Sequence, residues 1–231
     1  MTIHAIILAG GQGTRLGAET PKQFLPLGDK PVIRWSMDAF SAVREIDHII
    51  IVCPRERIPW MKDHVAACPE PKVLKITAGG ATRQESAWNA LNCHDFHDND
   101  ILLFHDAARP FVTVEIIANC IQEARNTGAC GVYIPATDTI TEIIDTRVRA
   151  IPPRQYLYQT QTPQAFRYGV IRHAHDLARS SGSGTATDDV SLVMSSGSAV
   201  AAVQGSPENF KITTTFDYEL AKWIAEKQKR G

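Results

Sequence analysis

Short, continuous apolar runs recur along the first two thirds of the chain, each closed by glycine, proline or a polar pair. Ile3 to Ala9 is the first; it is rich in β-branched residues and runs straight into glycines. That pattern predicts a buried parallel strand entering a loop. Ile46 to Cys53, Val73 to Thr77 (stopped by Gly79-Gly80), Ile101 to Phe104 (ending in His105-Asp106) and Gly131 to Pro135 read the same way. Between these runs, apolar residues spaced three and four apart predict helices over 31–42, 58–68, 81–92 and 114–126. Strands that alternate with helices build βαβ units and a mostly parallel sheet, so the fold class is α/β. Right-handed crossovers then bring the strand-ending loops to one edge, where ligands of such sheets bind.

The pattern changes between Thr137 and Thr162. Thr139 to Ile144 and Val148 to Ile151 alternate and are rich in Thr, Ile and Val. They predict a hairpin projecting from the sheet, with Asp145 to Arg147 near its tip. Such an arm does not bury both faces alone, so a partner subunit is its expected cover. Helices over 168–178, 188–195 and 217–227 and a strand over 199–203 complete the chain, with a Gly/Ser-rich loop at 180–185.

A chain of 231 residues with 44% hydrophobic and 21% charged residues is ordinary globular protein, large enough for one domain with its own core. Lys and Arg number 24 against 25 Asp and Glu. A near-neutral balance argues against a dedicated nucleic-acid binder, which needs a basic surface. A small phosphate ligand needs only a few local cations. No stretch approaches the ~20 apolar residues of a membrane span. The N-terminus lacks the basic region of a signal peptide. Five scattered cysteines with no C-x-x-C pair fit a reduced, cytoplasmic chain.

Five segments carry candidate chemistry. Ala9-Gly10-Gly11-Gln12-Gly13-Thr14-Arg15 follows the first strand. Its glycines let backbone N–H groups approach an anion and Arg15 adds charge, although a tight structural turn fits the glycines equally well. It is neither a Walker A loop nor a dinucleotide fingerprint. Pro21-Lys22-Gln23 places a second cation on the same long loop. Gly79-Gly80 through Ser86 ends a strand and opens a helix, which suits either a ligand or a plain turn. His105-Asp106-Ala107-Ala108-Arg109 puts a carboxylate at the end of a buried strand, either to meet Mg²⁺ beside a triphosphate or to form an ion pair. Asn209 to Thr214 adds Lys211, on the bland reading a solvated strand end. Cys93-His94-x-x-His97 reads as a solvated loop and His173-x-His175 as surface helix. No G-x-S-x-G elbow or cysteine nucleophile signature occurs.

Taken in order, LAGGQGTRLG…PKQFLPLGDKPV, GGATRQES, HDAARPF, DTIT, QTPQAF, TDDVSL and ENFKITT resemble the 2-C-methyl-D-erythritol 4-phosphate cytidylyltransferases, with the related ribitol-5-phosphate cytidylyltransferases. The resemblance spans essentially the whole chain. It implies a single Rossmann-like nucleotidyltransferase domain over residues 1–231, with a β-arm at about 137–162 exchanged across a homodimer. It also implies transfer of CMP from CTP to a polyol phosphate in the non-mevalonate isoprenoid pathway, or to ribitol 5-phosphate as the alternative. Arg15 and Lys22 then stabilise the α-phosphate and the leaving pyrophosphate. Ala9, Gly10, Gly11 and Gly13 cradle the triphosphate. Gly80 and Ser86 line the cytosine pocket, Ala107 and Arg109 lie near the nucleotide, and Asp106 holds Mg²⁺. Thr139 and Arg154 reach the partner's acceptor phosphate, while Thr187 and Lys211 approach it from the home subunit. The sequence departs from the family pattern at Ala81, where many members are acidic, and at Thr141, where methylerythritol enzymes often carry Lys. Ile151-Pro-Pro-Arg-Gln-Tyr leans to the ribitol branch, His105-Asp-Ala-Ala-Arg and Thr187-Asp-Asp to the methylerythritol branch.

Overall fold

The computed structural model describes residues 1–11, 20–181, 186 and 188–230. Five of the predicted apolar runs form strands: β1 (Ile3–Leu8), then, after a two-residue pair β2 (Pro26–Leu27) and β3 (Lys30–Pro31), β4 (His48–Cys53), β5 (Val73–Ala78), β6 (Ile101–Asp106) and β7 (Ala129–Pro135). All six residues of β1 and of β6 are buried, as central strands covered on both faces require. Helices α1 (Val32–Ala42), α2 (Ile58–Ala67), α3 (Arg83–Leu91) and α4 (Val114–Thr127) alternate with them. The arm follows as β8 (Glu142–Ile144) and β9 (Arg147–Ala150). Then come β10 (Tyr158–Arg167), α5 (Tyr168–Ser180), α6 (Asp189–Ser195), β11 (Ala201–Gln204) and α7 (Thr215–Arg230).

The main sheet has seven strands in the order β11-β7-β10-β6-β1-β4-β5. Neighbours β6, β1, β4 and β5 run parallel, as do β7 and β11, whereas β10 pairs antiparallel with both β6 and β7. One apolar cluster, including Ile7, Met37, Phe40, Ile51, Leu103 and Ile117, fills one side of the sheet. A second, including Ile6, Ile50, Ala87, Phe104, Phe166 and Ile171, fills the other.

Two readings of the pattern need correction. The segment expected to be arm throughout 137–162 divides. Its hairpin covers only β8 and β9, turned by Asp145 and Thr146 at φ 46° and 64°, and from Tyr158 the chain is already a strand of the main sheet. The polar letters Gln-Thr-Gln-Thr-Pro-Gln concealed that strand. Gln161, Thr162 and Gln164 are nevertheless buried, because side-chain partners satisfy each of them. His175 is not surface: it lies fully buried on the face of α5 that also carries Ile171, Ala174 and Ala178. The arm carries Ile143, Val148, Ile151 and Tyr156, each more than 60% exposed in the single chain. No helix among the described residues is long and apolar enough to cross a membrane.

Candidate active site

Four strand ends make the site. The N–H of Ala9 donates to Val52 (2.7 Å), that of Gly79 to Cys53 (2.9 Å) and that of Ala107 to Leu8 (3.0 Å). The loops leaving β1, β4, β5 and β6 are thereby laced together at the carboxyl edge of the sheet. Between them lies a cleft of about 650 Å³. Ala9, Gly10, Gly11, Lys22, Gly80, Ser86, Asp106 and Lys211 all line it, so eight of the residues singled out from the sequence converge. Arg15, Gly13 and Thr187 lie outside the described residues.

Each wall follows from local sequence. Thr82 caps α3: its hydroxyl accepts from the Glu85 N–H, and the Glu85 carboxylate accepts from the N–H groups of Ala81 and Thr82. The Gly79-Gly80 turn therefore enters a fixed helix N-terminus. A side chain on Gly80 would collide with Glu85, which is why glycine stands there. Ser86 joins two walls. Its hydroxyl accepts from the Gly80 N–H at 3.1 Å and sits where a side chain on Gly10 would press against it. Gln23 donates to the carbonyls of Ala9 and Gly11 at 2.5 and 2.9 Å, fastening the far end of the long loop to the glycine turn. This draws Lys22 into the cleft with only 9% of its surface exposed.

Asp106 is the electrostatic centre. Lys211 Nζ stands 2.8 Å from one of its oxygens, Arg109 Nε 3.8 Å from the same oxygen, and Arg83 Nε 3.9 Å from the other. Burial alone would push this carboxyl up, but Lys211, Arg83 and Arg109 outweigh it and hold it well below the usual carboxylate range. The Asp106 N–H donates to Thr162 Oγ1 at 3.1 Å. His105 is fully buried; burial lowers its pKa to about 4, so it is neutral at pH 7. Its Nε2 lies 3.1 Å from the Arg109 carbonyl, which only accepts, so the proton belongs on Nε2 and Nδ1 accepts from the Thr162 hydroxyl at 3.0 Å. Strand β10, unread in the sequence, therefore fixes the backbone under the central carboxylate.

Lys211 is not a solvated strand end. Arg109 donates to the carbonyls of Asn209 and Thr160, and Asn209 to Gln161 and the Thr162 carbonyl, which clamps the segment beside β10. Lys211 and Thr213 also line a second cavity of about 580 Å³, with Arg109, Thr137, Gln159 and Phe210. Ala107 lies under the cleft, fully buried, and Ala108 lines the wall instead. Thr139 and Arg154 are exposed on the arm, where Arg154 donates to the Thr137 carbonyl at 2.9 Å; within one chain they stand apart from the cleft. His94 and His97 are exposed, and the described residues hold no cluster of three His, Cys, Asp or Glu suited to a metal. Sequence reasoning missed Arg83, Gln23 as a clasp, Asp189 and His175. Arg83 lay inside a flagged motif, and only three-dimensional proximity to Asp106 distinguishes it.

The arrangement suits polyphosphate chemistry. The glycine turn after β1 offers backbone N–H groups, cations including Lys22, Arg83 and Lys211 face one cleft, and the Asp106 carboxylate stands among them. Mg²⁺ is usually held by one or two carboxylates plus substrate phosphates, and Asp106 supplies one hard oxygen donor at the cleft wall, so the residues fit that ion with phosphates completing its shell.

Residues 3–227 match the family model described as IspD, 2-C-methyl-D-erythritol 4-phosphate cytidylyltransferase. The chain is 40% identical over 226 residues to the enzyme of that name from Syntrophotalea carbinolica, covering 96% of this chain and 95% of the relative. It is 35% identical to the ribitol-5-phosphate cytidylyltransferase of Lactiplantibacillus plantarum over 98% and 99% of the two chains. Among solved structures it is similar to the 4-diphosphocytidyl-2C-methyl-D-erythritol synthase of Anaerococcus prevotii, with a TM-score of 0.85 and 30% identity over 97% of this chain and 98% of the other.

Proposed function

Because the chain belongs to the 2-C-methyl-D-erythritol 4-phosphate cytidylyltransferase family, we propose that it transfers CMP from CTP to 2-C-methyl-D-erythritol 4-phosphate and releases pyrophosphate. The observation that carries this reading is the junction of two cavities at Lys211 and Thr213: a glycine-walled cationic cleft opens beside a second cavity of acceptor size. An oxygen of the acceptor phosphate attacks the α-phosphorus of CTP. The new P–O bond forms in line as the bond to the bridging oxygen breaks, and both electrons leave with pyrophosphate. No covalent enzyme intermediate is needed, so catalysis is positioning plus charge stabilisation.

In this reading the N–H groups of the glycine turn and Lys22 meet the triphosphate, and Arg15 joins them from the same loop. Gly80 and Ser86 hold the nucleobase, Ala107 and Arg109 back the nucleotide, and Lys211, with Thr187, turns toward the acceptor phosphate. Mg²⁺ is the proposed cofactor, with Asp106 as its protein ligand; when bound it screens the triphosphate. We also assign the exposed apolar arm to a homodimer contact, with Thr139 and Arg154 completing the partner's acceptor site. The unpaired thiols of all five cysteines suit a reducing compartment, and the proposed location is the cytoplasm.

The test is pyrophosphate release from CTP with either acceptor, with Mg²⁺ and with excess EDTA. Turnover with 2-C-methyl-D-erythritol 4-phosphate far above that with ribitol 5-phosphate, abolished by EDTA, is the expected result. A preference for ribitol 5-phosphate would move the chain to the sister branch, and full activity in EDTA would remove the metal.

A further inference from the structure

Behind the cleft, Arg83, Asp189 and His175 form a buried hydrogen-bonded line to which the reaction above gives no role. Arg83 Nη1 donates to Asp189 Oδ2 at 2.7 Å, while its Nε faces Asp106 at 3.9 Å. Asp189 is fully buried at the start of α6. Its other oxygen lies 3.1 Å from Nε2 of the equally buried His175, and its N–H donates to Gln164 Oε1 at 3.1 Å. Trp88 stacks over His175 with ring centroids 6.2 Å apart. The series His175, Asp189, Arg83, Asp106, Lys211 thus runs from the core to the cleft.

The three cations around Asp106 are not equivalent. Arg109 is tied to two backbone carbonyls and Arg83 to Asp189, whereas the Lys211 ammonium bonds Asp106 and is the most exposed of the three side chains. An incoming triphosphate attracts every one of them. Lys211 is able to leave Asp106 and serve the second cavity that it also lines. Arg83, a long side chain on a helix N-terminus, would follow the phosphates too unless something behind it held on. Asp189 has that capacity: a carboxylate with no exposed surface has no water to replace its partner, so its hold far exceeds that of a surface pair.

We propose that Asp189 is a positioning residue of CMP transfer: backed by His175, it anchors Arg83 at the rear of the cleft so that the guanidinium keeps the Asp106 carboxylate in place when phosphates draw Lys211 away. The inference rests on reading the cleft as the CTP site. Asp189 touches neither substrate nor metal and acts only through Arg83.

A double-mutant cycle tests this. Wild type, Asp189→Asn, Arg83→Met and the double variant are assayed for kcat and KM with CTP and 2-C-methyl-D-erythritol 4-phosphate, after folding is checked by circular dichroism. Asp189→Asn is expected to lower kcat about 10- to 100-fold while KM for CTP moves less than about threefold, because a preorganised charge is lost and ground-state contacts remain. In the Arg83→Met background the same change should alter kcat less than about twofold, since partners acting as one unit are not additive. A merely structural Asp189 would give unchanged kcat per folded molecule, or fully additive losses, and either result overturns the proposal. If Asp189→Asn cannot be recovered folded, His175 supplies the test. His175→Phe removes the donor to Asp189 and should lower kcat about 3- to 10-fold, and His175→Gln, which keeps an N–H donor, should restore most of it. Wild-type kcat in both His175 variants would overturn the role. Absence of CMP transfer by the wild-type protein overturns the reading of the cleft instead, a result distinct from either of these.

Discussion

Neutralising Asp106 should weaken the protein and yet strengthen its grip on a free polyphosphate. In Asp106→Asn the shape is kept and one negative charge is removed from among three cations at 2.8, 3.8 and 3.9 Å. Removing one partner of a buried ion pair costs about 3–5 kcal/mol, because the other charge is stranded. Here the loss is smaller. Lys211 is 37% exposed and turns to water, Arg83 keeps Asp189, and Arg109 keeps the Asn209 and Thr160 carbonyls. About 2 kcal/mol is the resulting figure, or about 4–8 °C in Tm for a chain of this size. A phosphate charge about 5 Å away interacts with each unit charge by about 3 kcal/mol at an effective dielectric of 20 and by about 1 kcal/mol in water, so pyrophosphate in EDTA should bind the variant about tenfold more tightly. Urea unfolding monitors the first effect and calorimetric titration with pyrophosphate in EDTA the second. Unchanged stability together with weaker pyrophosphate binding would refute this account of the charge cluster. The same logic gives the pH dependence. Asp106 is held below its unfolded pKa, so its stabilisation is present above the normal carboxyl pKa and is lost as pH falls toward the depressed value.

Lys22→Ala should lower kcat at least about 100-fold with a much smaller change in CTP affinity, because its charge meets the transition state from a desolvated position; near-normal turnover would remove Lys22 from that role. Mixing Arg154→Ala with Lys211→Ala subunits tests the proposed shared acceptor site: half of a random pool is heterodimer with one intact site each, so about a quarter of wild-type activity should return. No recovery, with dimers verified by mass, would assign both residues to one chain's own site. Burial, followed by His48, holds the His4 pKa down to about 4 from 6.5. The unfolded chain therefore binds the extra proton, and stability falls as pH drops from 6.5 toward 4, by about 2 kcal/mol at pH 5. His4→Leu should lose that part of the fall in urea titrations at pH 7.5 and 5.0; an identical fall in both proteins would refute it.

The fold was legible wherever apolar letters ran together. Burial on both faces leaves β1, β4 and β6 no polar alternation, and glycines or Asp106 mark where each meets the cleft. It was illegible where polar residues are buried in mutual hydrogen bonds. Gln161, Thr162, Pro163 and Gln164 carry neither strand periodicity nor apolar character, yet they lie in the middle of the sheet. His175 had a detectable signal, since it shares the spacing of Ile171, Ala174 and Ala178 and so belongs to the buried face. The converging loops were readable from topology alone, because strand ends share an edge. Arg83 and Asp189 were not, for they lie 106 positions apart and only their 2.7 Å contact assigns them to one unit.

The placement of β10 also bears on how the molecule assembles. In the sheet it is the strand hydrogen-bonded to both β6 and β7, so without it the ladder falls into two pieces, β5-β4-β1-β6 and β7-β11. The four strands of the first piece all lie within residues 3–106, so every one of them precedes the arm in the chain. The join waits for residues 158–167, which arrive after the whole arm has been made. Until then Asp106 lacks the Thr162 hydroxyl beneath it and Arg109 lacks the Thr160 carbonyl. The charge cluster is thus assembled from both sides of the arm, with β10 bracing Asp106 and Arg109, and Asp189 and Lys211 supplied from still later in the chain. A chain interrupted before that strand would carry the glycine turns with no ordered electrostatic centre between them.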